Sequence, residues 1–272
     1  MVKLIPLMLL VINFGYSQNK IDKAKDDLNQ PSNTTVSPSN PNYSGGRTRG
    51  RTHQSEPSLL EFFITDIAFG LVKYGLIGSY AAENHLHYGA TPYPLQKLGK
   101  GSYSSDSDYP LWRTHFQNRF LYSNNTLIGN EIQGSIHPSK YFYASVSYAA
   151  FWEFNRIEDR TNHLNLFYFH LHYDRIRLEQ FQLGWKIGMS YVGTGVNKAG
   201  FSYGLQAQYF FQKNYSFAGN ITWSQINQQP VNQWDVQIKR HWNNYHLHLG
   251  YQHYRIGSPQ FRFIGLGGGI YL

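Results

Sequence analysis

The sequence predicts an all-β fold: a closed antiparallel transmembrane β-barrel of about ten strands, preceded by an amphipathic helix and a disordered arm. Three observations carry this reading. Apolar and polar side chains alternate with a period of two beyond Leu111, every tryptophan falls on the apolar parity, and the composition is rich in aromatics and poor in charge. Aromatic residues make up 17% of the 272-residue chain and charged residues only 15%, whereas a soluble domain usually carries about 25% charge. Asn, Gln, Ser, Tyr and His supply the polarity instead. That mixture suits a sheet with one apolar face and one hydrated, uncharged face.

The alternation is clearest in Phe181 to Tyr191. Phe181, Leu183, Trp185, Ile187, Met189 and Tyr191 take one parity, and Gln182, Gly184, Lys186, Gly188 and Ser190 the other. Phe201 to Phe211 and Tyr215 to Gln225 repeat it. Extended along the chain, the pattern gives ten strands at about 112–122, 126–136, 140–154, 163–174, 179–191, 200–212, 215–225, 231–242, 244–255 and 261–272. An even count closes a barrel with both of its ends on one side. Tight connections are expected at His137-Pro138-Ser139, Gln212-Lys213-Asn214 and Asn243-Asn244, and longer loops at Arg156 to Asn162, Gly193 to Ala199 and Gln225 to Pro230. Trp112, Trp152, Trp185, Trp223, Trp234 and Trp242 all share the apolar parity of their strands, as expected of anchors at a lipid interface. A soluble β-sandwich would also alternate, but its polar faces would carry more Lys and Glu.

Ahead of the barrel (residues 111–272) the chain divides into three segments. Residues 1–17 read as a secretory signal peptide, with Lys3 in the n-region, Leu4 to Phe14 as the apolar run and Gly15-Tyr16-Ser17 as the cleavage site before Gln18. Residues 18–57, rich in Lys, Asp, Asn, Ser, Pro and Gly, read as a disordered periplasmic linker, within which Arg47, Arg49 and Arg51 form a solvated basic stretch. Residues 58–110 begin as an amphipathic helix over Ser58 to Ala82, with Glu61, Thr65, Asp66 and Lys73 in one sector and Ser58 with Glu61 in capping spacing. An extra strand pair is the alternative there. The segment then becomes irregular from Glu83 to Pro110, where Asp106 and Asp108 offer too few oxygen ligands for a calcium site.

Composition also bounds function. The absence of cysteine excludes a disulfide framework, a thiolate metal site and a lipidated leader. The negative mean hydropathy excludes a helical membrane protein. A net charge of +8 would permit a nucleic-acid partner, but a secreted chain meets anionic lipid and peptidoglycan first, so no nucleic acid is expected.

The pattern resembles the small outer-membrane β-barrels of Gram-negative bacteria, from the leader through ten alternating strands to the final run Phe261 to Leu272. The resemblance implies an outer-membrane location, outer-membrane lipid as partner, and a last strand read by the assembly machinery. That strand usually ends in an aromatic residue, and this one closes on Tyr271-Leu272. The leader ending in Ser17-Gln18 resembles those common in Bacteroidetes.

Removing the lipid-facing parity leaves an inward set in which the charges balance: Arg113, Arg119, Lys186 and Lys239 against Glu131, Glu153, Asp174 and Asp235. In a narrow barrel such groups must pair, which predicts a salt-bridged, mostly closed lumen. A hairpin at Asn243-Asn244 sets His241 opposite His246 and Lys239 opposite His248; these three imidazoles are candidate zinc or copper ligands, disfavoured by the adjacent lysine. His170, His172 and Asp174 share one inward face. For a barrel hydrolase, Ser190 and Ser224 are the available nucleophiles, without a securely placed histidine and without a Gly-x-Ser-x-Gly elbow. The expectation is therefore a barrel without cofactor or enzymatic role, a structural or accessory subunit contacting other periplasmic or outer-membrane proteins through residues 19–82. A narrow solute or ion channel and a hydrolase acting on outer-membrane lipid are the alternatives.

Overall fold

The computed structural model describes residues 19–30, 71–94, 101–105, 112–139, 141–155, 159–212 and 214–272. After helix α1 (Lys20–Asn29), a π-helical turn (Leu71–Ile77) and a short 3-10 turn (Asn84–His87), a two-stranded ribbon pairs β1 (Gly89–Ala90) with β2 (Tyr103–Ser104). Ten longer strands follow: β3 (Arg113–Asn124), β4 (Leu127–His137), β5 (Phe142–Asn155), β6 (Arg160–Arg177), β7 (Phe181–Val192), β8 (Lys198–Gln212), β9 (Tyr215–Ile226), β10 (Gln229–Trp242), β11 (Tyr245–Ile256) and β12 (Gln260–Tyr271). Each pairs antiparallel with its neighbour in sequence, and β12 closes on β3 from Ile264↔Tyr122 to Tyr271↔His115. This is the closed ten-stranded barrel that the alternation predicts. Closure leaves no exposed sheet edge in these strands.

The outer wall carries the apolar parity. Phe116, Phe120, Phe169, Met189, Phe201, Leu249 and Leu266 are each exposed by about half or more. In water so continuous an apolar surface would drive association; facing lipid, it is the band that holds the barrel in a bilayer. None of the six tryptophans is buried. Along their strands, Trp152, Trp223 and Trp234 lie toward the end where β3 meets β4, and Trp112, Trp185 and Trp242 toward the opposite end, where β3 begins and β12 finishes. These are termed the loop end and the turn end.

Loop lengths differ from expectation. The stretch Gln225 to Pro230 is a two-residue turn, Asn227-Gln228, with φ of 51° and 64°. Two consecutive left-handed residues match the right-handed twist of the flanking strands, so the hairpin needs no longer connection. A further departure is a bulge between Asp174 and Ile176 on β6, which inserts Arg175 as an extra residue opposite β7.

The largest correction concerns residues 20–29, expected within the disordered linker. They form α1 because Ile21, Ala24 and Leu28 recur at helical spacing and make one buried stripe. The helix sits at the loop end, where Asp22 meets Asn162, Asp27 accepts from the backbone N–H and hydroxyl of Ser258, and the Leu28 carbonyl accepts from Asn227. The expected signal peptide, the basic stretch Arg47 to Arg51 and the helical positions Ser58, Glu61, Thr65 and Asp66 lie outside the described residues.

Candidate functional site in the barrel lumen

Inward side chains divide the lumen into three levels. At the loop end the wall is apolar: Leu121, Phe151, Leu164, Leu166, Val192, Ile226, Val231, Ile256, Phe261 and Phe263 form one buried cluster with the α1 stripe. Burying two large aliphatic side chains there stabilises the docked helix by roughly 3–6 kcal/mol in total. The helix also has an electrostatic clamp. The Glu153 carboxylate accepts the backbone N–H groups of Lys20 and Ile21 at 3.0 and 2.8 Å, satisfying donors that the first turn leaves free and facing the positive end of the helix dipole.

The middle level holds the buried ion cluster. Arg119 reaches Glu131 at 3.0 Å and Asp235 at 3.5 Å, and all three side chains are almost completely enclosed. Tyr254 donates its hydroxyl to the same Glu131 oxygen at 2.8 Å, and the Gln252 amide donates there at 2.5 Å. Arg119 on β3 and Asp235 on β10 are not on paired strands, so this contact reaches across the interior.

The turn-end level is a polar cavity of about 140 Å³. Residues of the ribbon reach into it or its wall: Arg113 donates to the Thr91 carbonyl at 3.0 Å, Tyr103 donates to Asp174, and Arg177 donates to the Leu86 carbonyl at 2.8 Å. Thr91, Leu86 and Tyr103 are buried. Residues 84–94 and 101–104 therefore cover this mouth as α1 covers the other.

All eight charged residues expected in the lumen are inward and buried, but they do not form one network. Only Arg119, Glu131 and Asp235 are ion-paired together; Glu153 holds α1, Asp174 accepts from Tyr103 and Gln206, Lys186 donates to Asn220, and Lys239 meets Gln117. Hairpin pairing places His241 opposite His246 and Lys239 opposite His248, as the sequence implies. The rings of His246 and His248 lie 5.4 Å apart, those of His241 and His246 5.7 Å, and His115 adds a fourth ring 5.1 Å from His246. Room for them comes from β12: a Cβ on Gly269 would collide with His246, and one on Gly267 would lie 2.7 Å from His248 Nε2. His246 and His248 stack and the other two pairs are tilted, and among the described residues no group of three or more His, Asp or Glu is arranged to hold a metal ion.

The serines expected as nucleophiles bond to each other, Ser190 to Ser224. Serine–histidine contacts occur elsewhere: Ser202 with His170 at 2.8 Å, Ser216 with His241 at 2.9 Å, and Ser145 with His172 at 2.7 Å, the last ring also meeting Gln206 at 3.0 Å. Three such pairs around one wall are a recurrent way of satisfying buried hydroxyls and imidazoles. Sequence parity found these inward residues but not their partners, since which inward neighbours meet depends on strand register and stagger.

Outside the wall, the turn Leu71–Ile77 lies against β6 and β7 near the turn end. Trp185 Nε1 donates to the Leu76 carbonyl at 2.9 Å, Tyr173 to that of Ile77 at 2.6 Å, and Arg175 to those of Tyr74 and Gly75. These donors satisfy carbonyls that a helix end leaves free. Tyr74, Leu76 and Ile77 are exposed beside the apolar band. Arg175 also grips Glu83 in a bidentate pair at 2.7 and 3.0 Å. Arg175 and the Ser79 N–H hold the Glu83 carboxyl below the usual carboxylate range. A depressed folded pKa gives stabilisation that is present above the unfolded value and is lost as pH falls through the folded one. The segment's hold on the wall should therefore be tightest at neutral pH and loosen as pH falls below the usual carboxylate range. With no native cysteine, a spin label on an Ile77→Cys variant reports this directly: its spectrum should sharpen on acidification, and in Glu83→Gln it should be sharp throughout. A label equally immobile from pH 7 to pH 3 would refute the clamp.

No family model matches the chain, and no curated protein matches it. Among solved structures, it is similar to the KdgM porin in complex with disordered oligogalacturonate (12% identity, TM-score 0.35, 58% of this chain and 96% of that one). It is also similar to the Yersinia pestis outer membrane protein Ail (9%, TM-score 0.34, 59% and 99%) and to the outer membrane protein OprG from Pseudomonas aeruginosa (7%, TM-score 0.29, 59% and 95%).

Proposed function

We propose that this chain is an outer-membrane barrel closed by its own N-terminal residues, serving as a structural or accessory subunit that meets other envelope components through residues 19–82. The observation that carries the reading is the obstruction of the lumen at every level: α1 at the loop end, the Arg119–Glu131–Asp235 cluster in the middle, and residues 84–94 with 101–104 at the turn end. A diffusion pore needs a continuous water path, and ten strands leave little width for one once side chains cross it. With the turn end periplasmic, the side from which β3 starts and to which β12 returns, the apolar residues Tyr74, Leu76 and Ile77 lie at the inner rim of the bilayer. There they are available to a neighbouring protein.

The test is conductance together with crosslinking. Purified full-length protein in planar bilayers should give no discrete current steps. In intact cells, photocrosslinkers on residues 19–82 should capture a defined envelope protein that crosslinkers on the β12 wall do not. Regular current steps would instead favour a narrow channel, and hydrolysis of phospholipid by the purified protein would overturn the accessory reading.

A further inference from the structure

The turn-end cavity has an unbalanced charge. Three cationic side chains line it, Arg113, Lys186 and Lys239, against a single carboxylate, Asp235. That carboxylate is already engaged by Arg119, which is itself bonded to Glu131. Neither lysine has a carboxylate within 4 Å among the described residues. Lys186 instead donates to the Asn220 side chain at 2.6 Å, and Lys239 has only a long contact to Gln117 at 3.5 Å. Arg113 spends two of its donors on Thr91 and His137, and its Nε has no partner. His115, which lines the same cavity within electrostatic reach of both Lys239 and Arg113, likewise has an unpartnered Nε2.

Buried cations short of a paired counter-charge are unfavourable, and besides giving up a proton, one remedy open to a rigid wall is a co-bound anion. We infer that this cavity is a binding site for a small oxyanion of the phosphate or carboxylate type, held chiefly by Lys239 and Lys186, with Arg113 and His115 completing its hydrogen bonds. A cavity of about 140 Å³ corresponds to a few waters at about 30 Å³ each. It has room for a small oxyanion together with water. Asp235 faces the same space and opposes the ligand, which gives the assignment a second sign to test. The inference does not depend on the accessory role, since a closed barrel of any function can hold such an ion.

Full-length protein in a maltoside detergent, which carries no phosphate headgroup, should be titrated calorimetrically with inorganic phosphate, sulfate and acetate, with chloride fixing the ionic strength. Saturable one-to-one binding of at least one of the three is expected. Lys239→Gln and Lys186→Gln should each weaken it at least about tenfold, the lower bound for losing a hydrogen bond to a charged group, while Asp235→Asn should tighten it. Each variant is first checked for the heat-modifiable gel migration of a folded barrel. Absence of saturable binding by all three anions, or affinity unchanged in both folded lysine variants, would overturn the site.

Discussion

Replacing Arg119 with methionine should destabilise the barrel by about 3–5 kcal/mol, the range for breaking a buried ion pair by removing one partner. The size follows from what remains. Glu131 and Asp235, at 3.0 and 3.5 Å from the guanidinium and nearly inaccessible to solvent, would keep their charges with no cation between them. Tyr254 and Gln252 donate to Glu131 but bring no positive charge. The sharper outcome is rescue: Arg119→Met combined with Glu131→Gln and Asp235→Asn should recover most of the loss, because a neutral, well-filled core is often as stable as the ion cluster it replaces. Urea unfolding in lipid vesicles, followed by tryptophan fluorescence, measures both. A single-variant loss under about 1 kcal/mol, the value of an exposed pair, would mean that water reaches the cluster.

That the cluster exists was legible only in part. Period two assigned Arg119, Glu131 and Asp235 to the inner face, and Arg119 and Glu131 are register partners on adjacent strands, β3 and β4. Asp235 lies on β10, and its approach to Arg119 depends on barrel diameter and stagger, which alternation does not encode. The hairpin histidines were legible because a tight turn fixes cross-strand partners, and Lys239↔His248 follows from the turn alone. The role of Arg175 was not, because alternation sets it on the outward parity but does not place its partner Glu83, which comes from a segment outside the barrel strands. The apolar character of the inner face at the loop end also escaped a reading built on its charges, although Phe261 and Phe263 share the inward parity with Gly265. Those residues make sense only once a helix is present to be buried against them. In α1 the signal was three apolar residues among lysines and aspartates, too few to outweigh a composition typical of linkers.

The same helix gives the second large effect. Leu28→Asp should release α1 from the loop end, since it removes one of the stripe's two large side chains and would place a charge in the apolar cluster that the stripe shares with the wall. Cleavage after Lys23, whose side chain is exposed while the backbone is held in helix, requires local unfolding, so trypsin reads the docking equilibrium when reclosing is fast. Loss of about 3 kcal/mol or more of docking predicts cleavage at least about a hundredfold faster than in the wild type. Leu28→Met, which keeps volume and polarity, should remain protected. Glu153→Gln should fall between them, because it weakens the hydrogen bonds to the N–H groups of Lys20 and Ile21 and leaves the stripe intact. Release of α1 should leave the barrel non-conducting, because the Arg119 cluster and residues 84–94 with 101–104 still obstruct the lumen below it. Equal cleavage rates in wild type and Leu28→Asp would show that the helix is not docked in the membrane-inserted protein. Current steps appearing with Leu28→Asp would identify α1 as the gate of a channel rather than one of three successive closures.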